Sequence, residues 1–118
     1  MDNQKTGKQG EDLAVRYLLK KGCSILERNY RCRYGEIDII ALDQGVLCFI
    51  EVKTRSRTDY GLPCQAVSQK KEWHIRKCAH HYIQKHHLKD PEIRIDIVEV
   101  LCISNQYWIR RLCNGRKG

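Results

Sequence analysis

Two carboxylates and one ammonium stand where a predicted hairpin would bring them together. Glu51 and Lys53 are separated by a single residue at the end of an apolar run, so in a strand their side chains point to the same face. Asp38 lies in the preceding predicted strand. Antiparallel pairing across a short turn places Asp38 opposite or diagonal to Glu51. We therefore expect the three charged groups to meet at one end of the hairpin.

Neighbouring carboxylates repel each other, and a divalent cation between them removes that conflict. Mg²⁺ prefers oxygen ligands and shares phosphate oxygens readily. We predict one or two Mg²⁺ or Mn²⁺ ions held by Asp38, Glu51 and the backbone carbonyl of Val52, with Lys53 placed to orient a water or to stabilise charge on an attacked phosphate. The alternative, taken from the local sequence alone, is an ordinary surface ion pair between Glu51 and Lys53.

The elements that must position these groups follow from hydrophobic periodicity and turn residues. Apolar residues at helical spacing predict a helix over residues 7–21 and a second one over residues 67–86. Runs typical of strands cover residues 24–33 (weakly), 35–42, 46–53, 93–101 and 106–112. Asp43, Gln44 and Gly45 form a hairpin turn signal. The predicted order is therefore α-β-β-β-α-β-β.

The strand over residues 46–53 is apolar on both faces until its last residues, which is typical of the centre of a covered sheet. A mixed central β-sheet flanked by helices is the simplest architecture that covers it. The last strand is predicted to lie at an edge. A chain of 118 residues suits one core, so we predict a single α/β domain over residues 1–118.

The charge of the chain favours a polyanionic partner. The formal net charge is +8, and the basic surplus falls in residues 60–118, because residues 1–59 carry nearly balanced charges. Lysine and arginine gain affinity for nucleic acid by releasing counterions, although a solubilising surface would give the same count. No apolar run is long enough to span a membrane, and the polar amino terminus does not resemble a secretory signal. We expect a cytoplasmic protein.

The cysteines and histidines offer a second metal site. The seven cysteines contain no Cys-x-x-Cys pair, and an odd number without a secretion signal favours reduced thiols. Cys78 with His80, His81, His86 and His87 would supply zinc-type ligands, but their spacing matches no familiar zinc pattern. A small regulatory protein built around zinc is the alternative that this cluster leaves open.

Several segments together resemble the YraN family of small bacterial proteins. They are Gly7-x-x-Gly10-Glu11, Arg28-Asn29-x-Arg31, residues 35–41 (Gly-Glu-Ile-Asp-Ile-Ile-Ala), residues 49–55 (Phe-Ile-Glu-Val-Lys-Thr-Arg), Tyr60-Gly61 and residues 94–98 (Arg-Ile-Asp-Ile-Val). That family is similar to nucleases with the restriction-endonuclease-like (tRNA endonuclease-like) fold and its PD-(D/E)xK site, especially archaeal Holliday junction resolvases. The resemblance covers nearly the whole chain.

The resemblance implies roles for individual residues. Asp38 matches the first acid of the motif, Glu51 the second and Lys53 its lysine. Ile37 stands at the position of the motif's proline, which many relatives of the wider fold also lack. Glu11 matches an acid on the first helix of related resolvases, where it would add a metal ligand or hold a water; its alternative is a solvated first-turn glutamate. The implied activity is metal-dependent hydrolysis of DNA, of branched or structured form, by a two-fold dimer.

The basic residues around this motif would hold the nucleic acid. Related nucleases have a basic residue facing DNA at the start of the second helix, and the phosphate contacts expected here are Arg55, Arg57, Lys70, Lys71 and Lys77. Trp73 and Tyr60 could stack on unpaired bases, but aromatic residues beside an amphipathic helix more often pack. A nucleic-acid-binding module of the same fold that does not cut is the competing function.

Overall fold

The computed structural model of the protein describes residues 3–55 and 69–113, with side chains from residue 7 onward. Its elements are α1 (Asn3–Lys20), β1 (Ser24–Cys32), β2 (Gly35–Asp43), β3 (Val46–Arg55), α2 (Gln69–Lys85), β4 (Ile93–Ile103) and β5 (Gln106–Cys113). All seven predicted elements are present in the predicted order. The predicted start of the first helix at residue 7 is wrong, because α1 already begins at Asn3.

The five strands form one sheet in the order β1-β2-β3-β4-β5. The β2–β3 hairpin closes through Gln44 and Gly45 between the paired residues Asp43 and Val46. Both turn residues have positive φ, 50° and 84°, as a type I′ turn requires. β3 and β4 are parallel, and the other neighbours are antiparallel. The mixed sheet is consistent with the restriction-endonuclease-like class, and β5 lies at the edge as predicted.

The two helices cover opposite faces of this sheet. α1 packs on β1, β3 and β4, and α2 packs on β1 and β2. Beneath α1 the core includes Leu18, Ile39, Ile50 and Val98. A separate cluster lies beneath α2 and includes Phe49. β3 therefore occupies the covered centre of the sheet, as its two-sided apolar sequence predicts. Neither helix of the described residues is long and apolar enough to cross a membrane.

β4 buries a charged residue. Arg94 and Asp96 alternate with isoleucines, and Asp96 is fully buried. Its carboxylate accepts hydrogen bonds from Arg94 Nε (2.9 Å) and Arg111 Nε (2.9 Å), and Arg111 also reaches Asp43 (3.0 Å). Because β4 is an interior strand, its polar face lies beneath α1 and its charge must be paired there.

Candidate active site

Asp38 lies where the regular alternation of β2 is interrupted. Ile37 belongs to the core beneath α2 and Ile39 to the core beneath α1, although residues two apart in a regular strand share a face. The ladder between β1 and β2 pairs Arg28 with Ile39 and Tyr30 with Ile37. It skips the intervening Asn29, whose φ is 55°, and Asp38. At this level of the sheet, both strands therefore change the face to which alternate side chains point.

This interruption aims the Asp38 carboxylate at β3. Its Oδ2 accepts a hydrogen bond from the backbone N–H of Val52 at 2.8 Å. The paired residues of β2 and β3 end at Ile39 and Ile50, so Val52 lies just beyond the ladder. The N–H and C=O of one strand residue point towards the same neighbouring strand. The Val52 carbonyl is therefore also directed to the side of Asp38, as its predicted role as a metal ligand requires.

Glu51 contributes the second carboxylate to the same place. Glu51 and Asp38 line one small cavity of about 60 Å³, together with Lys71 and Ile75 of α2. Lys71 Nζ lies 3.1 Å from Glu51 Oε1, and the Glu51 side chain is only 19 % exposed. The structure thus brings both predicted acids together beside α2. It also supplies a cation for Glu51 from the helix and not from Lys53.

Lys53 shares the sheet face of Glu51. Val52 belongs to the core beneath α1, and Thr54 touches α1 at Gly10, so the residue between them faces the opposite side. Within the described part of the chain Lys53 forms no ion pair. The alternative of a surface ion pair between Glu51 and Lys53 is therefore not formed, and the Lys53 side chain lies on the face that carries the two acids.

Glu11 occupies a fixed position behind the site. Its Oε1 accepts hydrogen bonds from Arg28 Nε and Asn29 Nδ2, each 3.1 Å long, and the side chain is 13 % exposed. It is the ninth residue of α1, counted from Asn3, so the alternative of a solvated first-turn glutamate is wrong. A Cβ built on the adjacent Gly10 would lie 2.0 Å from Thr54 Oγ1, which shows how closely α1 approaches β3 here.

The electrostatics of the site are those of crowded carboxylates. Burial raises the pKa of Asp38 above its ordinary value; the hydrogen bond from Val52 opposes this, while Glu51, Glu11 and Glu36 raise the pKa further. Burial would lower the pKa of Lys71, but its hydrogen bond to Glu51 and the nearby carboxylates raise it overall. The site therefore holds excess negative charge that favours a proton or a cation.

The donor set fits a hard cation better than zinc. Asp38, Glu51 and the Val52 carbonyl supply oxygen ligands, which suit Mg²⁺ or Mn²⁺ with waters completing the shell. In the described residues no three His, Cys, Asp or Glu side chains converge as a metal cluster, so Glu11 does not join the two acids as a third ligand. The predicted zinc cluster is likewise not assembled: the Cys78 thiol lies 3.0 Å from Cys32, and His81 bonds to Tyr30.

Comparison with known proteins identifies the family of this chain. Residues 10–100 match the model of a family described as "Uncharacterised protein family UPF0102". The chain is a UPF0102 protein. A UPF0102 protein of Clostridioides difficile is 46% identical over 106 residues, covering 90% of this chain and 93% of the relative. Others are one from Dictyoglomus turgidum (45% identical, 86% of each chain) and one from Alkaliphilus oremlandii (43% identical, 96% and 98%).

This membership confirms the YraN-type resemblance drawn from the sequence motifs. Residues 10–100 of this chain, which match the family model, contain all members of the site, from Glu11 on α1 to Lys71 on α2. The family description assigns no activity. The chemistry of the site must therefore be argued from its geometry.

The basic residues predicted for this UPF0102 chain are divided between several locations. Lys70 and Lys77 are exposed on α2, and Lys77 lies over the Trp73 ring. Lys71 binds Glu51. Arg55 binds the buried Glu99, so part of its role is to neutralise that carboxylate. Arg57 and the Tyr60-Gly61 motif lie outside the described residues.

Sequence reasoning missed the contacts that Lys71 makes with Glu51 and that Arg28 and Asn29 make with Glu11. Lys71 was predicted only as a phosphate contact, and its pairing with Glu51 depends on where α2 crosses the sheet. Asn29 holds Glu11 and marks the interruption of β1. Asn29 did carry a signal, because asparagine is enriched among residues with positive φ.

Proposed function

We propose that this protein is a metal-dependent nuclease that hydrolyses phosphodiester bonds in DNA, with branched or otherwise structured DNA as the substrate class. The observation that carries the proposal is the meeting of Asp38 and Glu51 in one cavity on the face where Lys53 presents its ammonium. The raised pKa of Asp38 supports it, because a carboxylate with a purely structural role is not stabilised by three neighbouring carboxylates.

The roles of the residues follow from their chemistry. Asp38, Glu51 and the Val52 carbonyl would hold Mg²⁺ or Mn²⁺, in one or two ions. Such an ion, when bound, supplies positive charge to the attacked phosphate and lowers the pKa of water. Val52 N–H fixes one oxygen of Asp38 (2.8 Å) and so orients the carboxylate. Glu11 binds Arg28 and Asn29 and would thereby hold the interrupted part of β1 in place beside Asp38.

Lys53 and Lys71 would act on the substrate. The Lys53 ammonium is placed to orient a water or to donate a hydrogen bond to a phosphate oxygen, where developing charge is stabilised most strongly. Lys71 is half exposed (47 %), so it can leave Glu51 for a phosphate when the carboxylate receives another cation. Lys70 and Lys77 then extend the phosphate contacts along α2. A two-fold dimer would present two such sites to the two strands of a duplex.

The test is a comparison of purified wild-type protein, Glu51→Gln and Lys53→Ala on labelled linear, flapped and four-way DNA, with and without Mg²⁺ or Mn²⁺. Glu51→Gln keeps the size of the side chain and removes its charge. We expect unchanged folding, unchanged DNA binding and a loss of cleavage by about two to four orders of magnitude. Glu72→Gln, whose carboxylate pairs with Arg76 (3.1 Å), is the control and should cut normally.

A second candidate is a nucleic-acid-binding module that does not cut. The ion pair between Lys71 and Glu51 (3.1 Å) favours it, because an ammonium on the second acid offsets part of the negative charge in the absence of metal. Binding that weakens steeply with salt, in the absence of any metal-dependent cleavage, would support this candidate. Activity that survives Glu51→Gln would instead mean that the nuclease is a contaminant or that the site lies elsewhere.

A further inference from the structure

A second cavity opens on the same sheet face as Glu51. It measures about 160 Å³ and is lined by Arg55, Glu99, Leu101, Trp108, Ile109 and Arg110. In the sheet register Glu51 lies beside Ile97 of β4, and Lys53 beside Glu99. Glu99 in turn pairs with Arg110 of β5, and Leu101 with Trp108. Ile97 belongs to the core beneath α2, so Trp108 projects on that face too.

Trp108 carries an aromatic surface that the described residues leave partly uncovered. Its side chain is 45% exposed, and Leu101 beneath it is buried. Trp73 is similarly exposed at 51%, but its ring contacts Tyr34 and His74 and lies under the Lys77 ammonium. In the described residues the Trp108 ring has no ring or cation contact of this kind. The contacts of Trp73 agree with packing, the role that aromatic residues beside an amphipathic helix more often have. Of the two tryptophans, Trp108 is therefore the better candidate for a stacking surface.

The rim of this cavity is built from arginines held in place. Arg55 and Arg110 both bind the carboxylate of Glu99, which is 4% exposed. A buried carboxylate with two guanidinium partners fixes both planar groups beside the indole. Flat cationic groups next to an aromatic ring are the combination that binds a nucleobase and its phosphate together.

The distance from this cavity to the candidate active site suits one continuous strand. Trp108 is two strands across from Glu51 and four residues along, from the level of Glu51 to that of Arg55. With neighbouring strands ~4.8 Å apart and a rise of ~3.3 Å per residue, the separation is roughly 16 Å. This corresponds to about five nucleotide steps of a B-form strand at ~3.4 Å each, and fewer in an extended strand.

We infer that Trp108 stacks on the base of an unpaired nucleotide, in a nucleic acid whose backbone continues to the Glu51 site. The inference deepens the proposed function and rests on it for the position of the cut, because it assigns a substrate with a single-stranded portion a few nucleotides from the cleaved bond. A fully paired duplex keeps its bases stacked on one another and leaves an open face only at its two terminal pairs, whereas a single strand can offer any of its bases to an indole on the surface. The arginines of the rim contact the phosphate next to the stacked base.

Two tryptophans in the chain allow a direct optical test. In Trp73→Phe protein, Trp108 is the only tryptophan, and its fluorescence is followed in EDTA while single-stranded oligothymidylate or a blunt duplex of equal length is added. We expect strong quenching by the single strand and much weaker quenching by the duplex, which has open base faces only at its ends. Unchanged fluorescence with a bound single strand would overturn the inference.

Affinity measurements on variants complete the test. Trp108→Ala should weaken single-strand binding roughly tenfold, while Trp108→Tyr, which keeps an aromatic face, should stay near the wild-type affinity. The matched control is Tyr107→Ala: Tyr107 is the preceding residue of β5, is 43% exposed and lies on the opposite face. Equal losses for Trp108→Ala and Tyr107→Ala would contradict stacking at Trp108.

Because the fluorescence and affinity measurements are made without divalent ions, they test stacking at Trp108 independently of metal-dependent cleavage. Quenching without any metal-dependent cleavage would leave the stacking site standing and remove the nuclease proposal. Cleavage without quenching would support the nuclease proposal and overturn the stacking site.

Discussion

The ammonium of Lys71 lies 3.1 Å from Oε1 of Glu51, so α2 neutralises the second acid of the candidate active site. An ammonium beside Glu51 repels a second cation at the same carboxylate. Lys71 would therefore compete with the proposed metal ion, and it would become available to a phosphate once it left Glu51. If the site binds metal, its affinity depends on α2 as well as on the sheet.

Replacing Lys71 should therefore strengthen metal binding. A unit charge ~5 Å away at an effective dielectric constant of ~20 is worth a few kcal/mol, and the exposure of Lys71 screens a large part of it. We expect Lys71→Gln to raise the affinity for Mn²⁺ roughly tenfold in isothermal titration calorimetry. Lys70→Gln, at the neighbouring exposed position, should change it little. Weaker Mn²⁺ binding by Lys71→Gln would show that the ammonium supports the site.

Asp38→Asn should stabilise the metal-free protein at neutral pH. A carboxyl group with a raised pKa in the folded chain contributes stability that is complete at acid pH and is lost as the pH rises through that pKa. The pKa of Asp38 is raised, first by burial, and asparagine removes the charge while it can still accept the Val52 hydrogen bond. We expect a melting temperature roughly 3 °C higher at neutral pH, with the difference disappearing in acid.

Asp12→Asn provides a control of opposite sign. The hydrogen bond from Arg28 lowers the pKa of Asp12, so its carboxylate adds stability above its ordinary pKa, and that contribution is lost as the pH falls through the lowered pKa. The substitution should lower the melting temperature slightly at neutral pH. Mg²⁺ should stabilise wild-type and Asp12→Asn protein but not Asp38→Asn. Stabilisation of all three by Mg²⁺ would place the cation elsewhere.

Two glycines of α1 should respond oppositely to alanine. At Gly7 an added Cβ meets nothing within 4 Å, so Gly7→Ala should stabilise the helix by ~0.5–1 kcal/mol. At Gly10 the Cβ would lie 2.0 Å from Thr54 Oγ1, so Gly10→Ala should destabilise by ~1–3 kcal/mol. Urea unfolding measures both. Adding Thr54→Ala should recover part of the loss at Gly10; no recovery would mean that the contact is not the cause.

The buried Asp96 should be among the least replaceable polar residues. Its carboxylate is fully buried and is bound by Arg94 and Arg111. Asp96→Asn leaves the two guanidiniums with only the partly exposed Asp43 as a carboxylate partner, and we expect a loss of about 3 kcal/mol in the free energy of unfolding. Glu72→Gln, which removes an exposed pair within α2, should cost less than about 0.5 kcal/mol. Similar losses for the two variants would contradict the assigned role of Asp96.

Most of the fold was predictable because its signals are local. Residues close in the chain determine the 3.6-residue and two-residue periods, and the Gln44-Gly45 turn needs positive φ that only a few residues adopt readily. The shared face of Glu51 and Lys53 follows from alternation within one strand. Together with the motif resemblance, these signals determined the element order, the central position of β3 and the two acids of the site.

Only the tertiary structure decided which distant charges pair. The contacts of Lys71 with Glu51 and of Arg111 with Asp96 depend on where α2 crosses the sheet and how β4 and β5 align, and no periodic pattern encodes either. The burial of Asp96 also depends on long-range packing, because a polar residue between isoleucines is buried only where a helix covers that face of the sheet. The interruption of β2 at Asp38 arises from the joint path of two strands. Local periodicity fixes what each element is, whereas long-range packing fixes what its charged residues meet.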